Sequence, residues 1–258
     1  LDSRSIPFVS LPESLARFVL SERNNIVVTG THGKTTTTSL TAFLLEQAGA
    51  EPGYMIGGAP LDPERGWATG KKHGPFVIEG DEYDSAFFDK RSKFIHYLPR
   101  IVILNNLEFD HADIFRDLQD VKRTFSHLLR LVPQSGFVLV NGDDENALSL
   151  TGLEWTTVYQ VGTAHDADLR IENYETTSFG SQFSLVWQGK PWAKVEWGMT
   201  GLFNARNAAM ASLAAALSSG GSVTSFDLAP LNRFRGVKRR QQVRFASDRL
   251  TVIEDFGH

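Results

Sequence analysis

Apolar and polar positions alternate in two rhythms along this chain. In roughly the first 150 residues, short apolar runs are separated by stretches with helical spacing. "NIVVTG", closed by Gly30, has the β-branched content and length of a buried strand. Lys34 to Ala48 predicts a helix whose mostly apolar face is Leu40, Phe43, Leu44 and Gln47–Ala48, with Gly49 ending it. "PFVIEG" (75–80), "RIVILNN" (100–106) and "GFVLVNGDD" (136–144) predict three further buried strands. Between the last two, Asp117 to Val132 predicts an amphipathic helix, with Leu118, Val121, Phe125, Leu128 and Leu129 at i, i+3, i+4 spacing.

From Thr157 to Trp197 the rhythm changes to period two. "TTVYQVG", "DLRIENYE", "SQFSLVWQG" and "PWAKVEWG" alternate in polarity and are broken by Gly, Asn and Asp, the chemistry of an antiparallel meander. Asn204 to Leu217 predicts an alanine-rich helix, and "QQVRFASDRLTVIEDFGH" two strands joined at Ser247–Asp248. The predicted fold class is α/β: a mostly parallel sheet with a phosphate-binding loop and flanking helices, plus a small antiparallel subsheet.

Composition narrows the function classes. The 258 residues suffice for one large domain or two small ones, and 41% hydrophobic content for a core. A net charge of −4 and a pI near 6.0 argue against a general nucleic-acid binder. With no cysteine, disulfides and thiolate metal sites are ruled out. No apolar run approaches the roughly 18 residues of a membrane span, and the start lacks a signal-peptide pattern. Leu1 and the stop after "VIEDFGH" lead us to expect an excised piece of a longer protein.

Candidate chemistry gathers where strands end. In "NNIVVTGTHGKTTTTSL", a strand runs through Gly30, Thr31, His32 and Gly33 into a helix opened by Lys34, Thr35 and Thr36. Such a turn aims backbone N–H groups and a helix N-terminus at a phosphate; the lysine adds charge and the next hydroxyl can hold Mg²⁺. The usual pattern has a further glycine where Val28 stands, so this is a tighter version, and the bland alternative is a glycine-rich turn with a surface lysine. "IEGDEYDSAF" places Glu79 at a strand end, where it can bind Mg²⁺; Asp81, Glu82 and Asp84 are read as loop caps or outer support. "ILNNLEFDHADIF" brings Asp110–His111 to the same edge, as a second metal or phosphate ligand or as a structural histidine. Asn204 suits a helix N-cap, or else joins Asn207 in reading an adenine edge. "FRGVKRRQQ" can clamp phosphates or be a solvated face.

Together, "GTHGKTTT", "EGDEYDSAFFDKRSKFIHYLPR", "NNLEFDHADIF", "FNARNAAMA" and "FRGVKRRQ" resemble the Mur ligases over nearly the whole chain. The long acidic-aromatic segment is similar to members that join UDP-N-acetylmuramate to the tripeptide L-Ala-γ-D-Glu-meso-diaminopimelate in cell-wall recycling. The resemblance implies a bacterial, cytoplasmic enzyme that uses ATP and Mg²⁺ and proceeds through an acyl phosphate. It implies that Lys34 contacts the β/γ-phosphates, that Thr35 and Glu79 bind one Mg²⁺ and that His111 binds a second. Asn204 and Asn207 then lie near adenine, Arg240 near the phosphates and Asp255 near the ribose or hinge. Phe125 stands where some members carry a carbamylated lysine, and Phe203 where a histidine often precedes the first asparagine. Residues 1–24 are expected to lead in from a UDP-binding domain, 25–246 to form the ATP-binding domain, and 247–258 to form its last strand and a hinge.

Other readings stay open: a UDP-N-acetylmuramate:L-alanine ligase, a folate-type glutamyl ligase, or a nucleotide-binding module without ligation. A P-loop switch or motor would need an aspartate closing an apolar strand, where "FVIEG" offers Glu79.

Overall fold

The computed structural model describes residues 6–110, 112–247 and 249–256. In chain order its main elements are α1 (Leu11–Leu15), β1 (Asn24–Thr29), α2 (Lys34–Gln47), β2 (Gly53–Met55), β3 (Trp67–Ala68), β4 (Pro75–Glu79), β5 (Asp84–Ala86), β6 (Asp89–Ser92) and β7 (Ile101–Leu104). They continue with α3 (Leu118–Leu129), β8 (Phe137–Asn141), α4 (Glu145–Leu148), β9 (Thr157–Gly162), β10 (Leu169–Thr177), β11 (Gly180–Trp187), β12 (Lys190–Trp197), α5 (Leu202–Ser219), β13 (Gln242–Ala246) and β14 (Thr251–Glu254).

Among the described residues, ten strands form one sheet in the order β12-β11-β10-β9-β8-β7-β1-β4-β2-β3. β2, β4, β1, β7, β8, β9 and β10 run parallel to their neighbours in that series; β3 at one end and β11 and β12 at the other are antiparallel. The expected meander is therefore smaller than its sequence span. β9 is parallel to β8, and β10 enters parallel to β9 before turning back as β11, so the antiparallel part continues the main sheet. Alternating polarity marks one covered and one wetter face; it does not fix strand direction.

The central strands are apolar because both of their faces are covered. Ile26, Val28, Val77, Ile101, Ile103 and Leu139 point into one core with α2 and α5; Val27, Phe76, Ile78, Val102, Leu104, Val138 and Val140 point into the other with α3. This is the period-two split of a strand buried on both sides. Phe125 of α3 is buried against Phe94, with ring centroids 5.4 Å apart. Asp117 accepts from the Asp120 N–H and caps α3.

α2 differs from its amphipathic expectation, since Thr35 through Leu45 are all buried between the sheet and α5. Its hydroxyls tolerate this because they are satisfied locally. Thr38 Oγ1 donates to the Lys34 carbonyl and Thr41 Oγ1 to the Thr37 carbonyl, each at 2.8 Å. α5, buried from Asn204 to Ala216 apart from Arg206, brings mostly alanines to that contact, so the two helices approach closely.

Sequence patterning also missed the helical lead-in. α1 is capped by Ser10, whose Oγ accepts from the Glu13 N–H, and continues as a π-helical turn over Ala16–Leu20 that buries Leu20. It packs on the hairpin β5–β6 and the 3₁₀ turn Lys93–His96. At the turn of that hairpin, Asp89 accepts from Arg91 Nε and Nη2 (2.9 and 2.8 Å) and lies 2.9 Å from His96 Nε2. The Arg91 hydrogen bonds hold its carboxyl well below the usual carboxylate range. A native pKa below the unfolded one means stability present at neutral pH and lost as acid protonates the group. Urea midpoints of the parent and Asp89→Asn should therefore differ most near pH 7, and the gap should shrink below roughly pH 4. A pH-independent gap would refute the ionic contribution.

Candidate nucleotide site

β1 is the strand at which the sheet changes direction of growth, with β4 and β2 on one side and β7 and β8 on the other. Ligands of open α/β sheets sit beyond the carboxyl ends of the strands at such a point. The register places Val28 beside both Glu79 and Ile103, so the loops after β1, β4 and β7 leave at one level. The loops after β1 and β7 are then tied together. The Thr31 N–H donates to the Asn106 carbonyl (3.0 Å), His32 N–H to Asn106 Oδ1 (2.8 Å) and Glu108 N–H to Thr31 Oγ1 (2.9 Å).

Gly33 is the tightest point of the turn. Its φ is +80°, and a Cβ there would lie 2.6 Å from Asn207 Oδ1 and 2.9 Å from Asn105 Nδ2. Glycine is thus required twice over, for conformation and for space. The two asparagines belong to a run of buried amides. Asn105 Nδ2 donates to Thr37 Oγ1 (3.1 Å) and reaches Asn207 Oδ1 (3.5 Å); Asn207 Nδ2 donates to Asn204 Oδ1 (3.4 Å), and Asn204 Nδ2 to the Thr200 carbonyl (2.8 Å). Asn204 is not the N-cap of α5, a position held by Gly201; it sits one turn inside, buried, and shares a cavity with the turn at residues 31–36.

Lys34 lies at the start of α2 with its ammonium donating to the Gly30 carbonyl (2.7 Å) and the Thr31 carbonyl (3.3 Å). It also pairs with Glu82 at 3.2 Å, and the Glu82 side chain is only 5% exposed. The acidic loop therefore divides. Asp81 accepts from the Tyr83 N–H as a loop cap and Asp84 pairs with Lys90, but Glu82 is an inward partner of Lys34. Glu79 accepts from Thr35 Oγ1 (3.2 Å) and from the Gly57 N–H (2.6 Å). Burial pushes its pKa up, against the opposing pull of those hydrogen bonds and of Lys34 and Arg240.

Lys34 and the turn face a cavity of about 350 Å³, whose lining does not include Glu79, Glu82 or Asn105. Thr31 through Thr36 form one wall, Asn204 and Asn207 another, and Arg240 and Asp255 a third. Gly30 lies behind that lining and contributes its carbonyl to Lys34. The sequence-predicted His111 is outside the described residues. Three lining residues went unmarked or were marked only in passing: Met199, Gln241 and Phe203, the last about half exposed at the rim. Asn105 was missed as well, although its position directly after β7 could have singled it out. Arg240 is held in place by a 2.7 Å hydrogen bond from Nη1 to the Phe256 carbonyl.

The wall of N–H groups, Lys34 and the helix start can bind a polyphosphate. Thr35 and Glu79 offer hard oxygen donors beside it, as suits Mg²⁺, which binds through one or two protein oxygens and completes its shell with phosphates and water. Among the described residues no three His, Asp or Glu side chains form a ready-made metal cage. No helix among them is long and apolar enough to cross a membrane.

Residues 28–216 match the Mur ligase middle domain, and the chain belongs to the Mur ligase family. It is 41% identical over 257 residues to the UDP-N-acetylmuramate–L-alanyl-γ-D-glutamyl-meso-2,6-diaminoheptandioate ligase of Escherichia coli K12, covering 99% of this chain and 54% of that protein. To the UDP-N-acetylmuramate–L-alanine ligase of Salinispora arenicola it is 31% identical, covering 99% of this chain and 48% of the relative. A murein peptide ligase structure from Psychrobacter arcticus superposes with a TM-score of 0.81 at 36% identity, over 99% of this chain and 56% of that one. The chain spans about half the length of the curated relatives it matches.

The geometry at Gly33 generates a comparison. Gly33 and Gly49 share positive φ, but a Cβ on Gly49 meets nothing within 4 Å. Gly49→Ala should cost about 1 kcal/mol of unfolding free energy, the conformational penalty alone. Gly33→Ala should cost about 2 kcal/mol or more, because Asn105 and Asn207 must also move. Urea denaturation of both variants checks this, and equal losses would show that the amide contact is unimportant.

Proposed function

We propose that this chain is the ATP-binding domain of a ligase that joins the carboxylate of UDP-N-acetylmuramate to the amine of L-Ala-γ-D-Glu-meso-diaminopimelate. The observation that carries the nucleotide part is the convergence of Lys34, Thr35, Asn204, Asn207, Arg240 and Asp255 on one cavity, with Glu79 hydrogen-bonded to Thr35 at its wall. The choice of amine rests on similarity: 41% identity to the tripeptide ligase against 31% to the alanine ligase. In this reading residues 25–246 are the ATP-binding domain, 1–24 its lead-in, and 247–258 its last strand and hinge. The UDP-sugar and most of the peptide are recognised by parts of the protein outside the chain described here. A bacterial cytoplasmic location follows from the same reading.

Bound ATP and Mg²⁺ would supply the phosphoryl group that turns the acceptor carboxylate into an acyl phosphate, which the amine then attacks with release of phosphate. The chain's own part is binding and charge compensation. Lys34 and the N–H groups of residues 31–36 hold the β- and γ-phosphates, and bringing a carboxylate up to them is opposed by like-charge repulsion that Lys34 and Arg240 offset. Thr35 and Glu79 would hold the metal, with His111 assigned to a second. Asn204 and Asn207 present donors and acceptors to the base, and Phe203 offers a ring face at the cavity rim. Asp255 is assigned to the ribose. No step calls for contact with nucleic acid or a membrane.

ADP release by the full-length protein, given UDP-N-acetylmuramate with either the tripeptide or L-alanine, tests the assignment. The tripeptide should be the better amine substrate; a preference for L-alanine would transfer the protein to the other class. Lys34→Ala should lower turnover by at least about 100-fold, the scale of losing one preorganised charge at a transferring phosphoryl group. Near-normal turnover of that variant would refute the role of Lys34.

A further inference from the structure

Residues 57–62 form a strap across the start of α2 that the preceding reading leaves without a task. At one end the Gly57 N–H donates to Glu79 Oε1 at 2.6 Å. The strap then passes so close to α2 that a Cβ on Gly58 would sit 2.8 Å from Thr35 Cγ2. One turn further along the helix, Ser39 Oγ donates to the Asp62 carbonyl. The strap thus touches both residues that offer oxygen to a metal.

The other end is anchored. Pro60 and Val237 form an antiparallel bridge, the Lys238 N–H donates to the Ala59 carbonyl (2.9 Å), and the Leu61 N–H to the Gly236 carbonyl (2.9 Å). Beside this short ladder, the Asp62 carboxylate accepts from the Arg235 N–H (2.7 Å), Nη2 (2.6 Å) and Nε (3.1 Å). Arg235 Nη2 also reaches the Leu61 carbonyl at 2.6 Å. The Asp62 side chain is 13% exposed, so the fork is well shielded on the carboxylate side, the condition under which a charge-assisted pair fixes geometry. A strap held only at Gly57 would be a mobile loop, because two consecutive glycines impose no conformation of their own.

We propose that residues 57–62 position the Glu79 carboxylate for its metal, with the Asp62–Arg235 pair as the anchor. Oε1 accepts from the Gly57 N–H and Oε2 from the Thr35 hydroxyl (3.2 Å), so the strap's hold on Oε1 keeps Oε2 beside the other oxygen that faces the cation. The inference rests on the nucleotide reading and adds positioning residues to it: Asp62 and Arg235 touch neither phosphate nor metal and act through Gly57 and Glu79.

Calorimetric titration of the 258-residue chain with the non-hydrolysable analogue AMP-PNP, with and without Mg²⁺, tests this. Asp62→Asn and Arg235→Met should each reduce the Mg²⁺-dependent gain in affinity about three- to tenfold, the usual range for coupling through an intermediary. Metal-free affinity should change by less than about twofold, and Arg235→Lys, keeping the charge but not the fork, should fall between. A purely structural role would lower both affinities together. The Arg235 side chain is 54% exposed, so Arg235→Met should fold even if Asp62→Asn does not, and circular dichroism verifies it. An unchanged Mg²⁺ gain in the folded variants, or parallel loss of both affinities, overturns the strap while leaving the nucleotide reading intact. Failure of the parent chain to bind AMP-PNP overturns that reading and the strap with it.

Discussion

The site depends on a shortage of space around Gly33. Three parallel strands deliver their loops to one level, and α5 brings Asn207 against the first of them from the side. A Cβ on Gly33 would intrude on two side-chain amides, so the turn can close only as glycine in a left-handed conformation. Its N–H groups then have to point outward into the cavity. The buried amides of Asn105, Asn207 and Asn204 carry the same constraint into the opposite wall, so the turn and the asparagine side of the cavity are set by one contact network.

Electrostatics follows from that packing. Lys34 is drawn inward by two carbonyls and by Glu82, and Glu79 is held at two oxygens by a hydroxyl and an N–H. The helix beneath them is unusually polar for a buried element, and it is stable there because the hydroxyls of Thr38 and Thr41 have local backbone acceptors, Thr37 accepts from Asn105 and Thr35 donates to Glu79. The "TTTTS" run thus serves the cavity at one end and the core at the other.

Much of this was legible in the residues. The strands β1, β4, β7 and β8, the three long helices and the terminal hairpin could be placed because apolar runs, caps and glycines agree locally. The turn into α2 was legible for the same reason: glycine, lysine and hydroxyl stand at adjacent positions. Strand direction in the second half was not, since Thr157–Gly162 alternates like a meander strand while pairing in parallel with β8. Glu82 looked like an ordinary loop polar and Asn105 like the polar end of a strand, as only tertiary structure turns them inward. The anchor between Asp62 and Arg235 joins residues 173 positions apart, beyond the reach of any local pattern.

The cavity has two unlike halves. Its floor belongs to α2 and α5, which are buried almost throughout, whereas Arg240, Gln241 and Asp255 flank a two-stranded hairpin whose Val243, Phe245 and Ile253 are each more than half exposed. Local opening of that hairpin breaks few apolar contacts and leaves the floor intact. Its backbone amides should consequently exchange with solvent deuterium long before those of the two helices, and a captured nucleotide would register mainly as slowed exchange across residues 240–256.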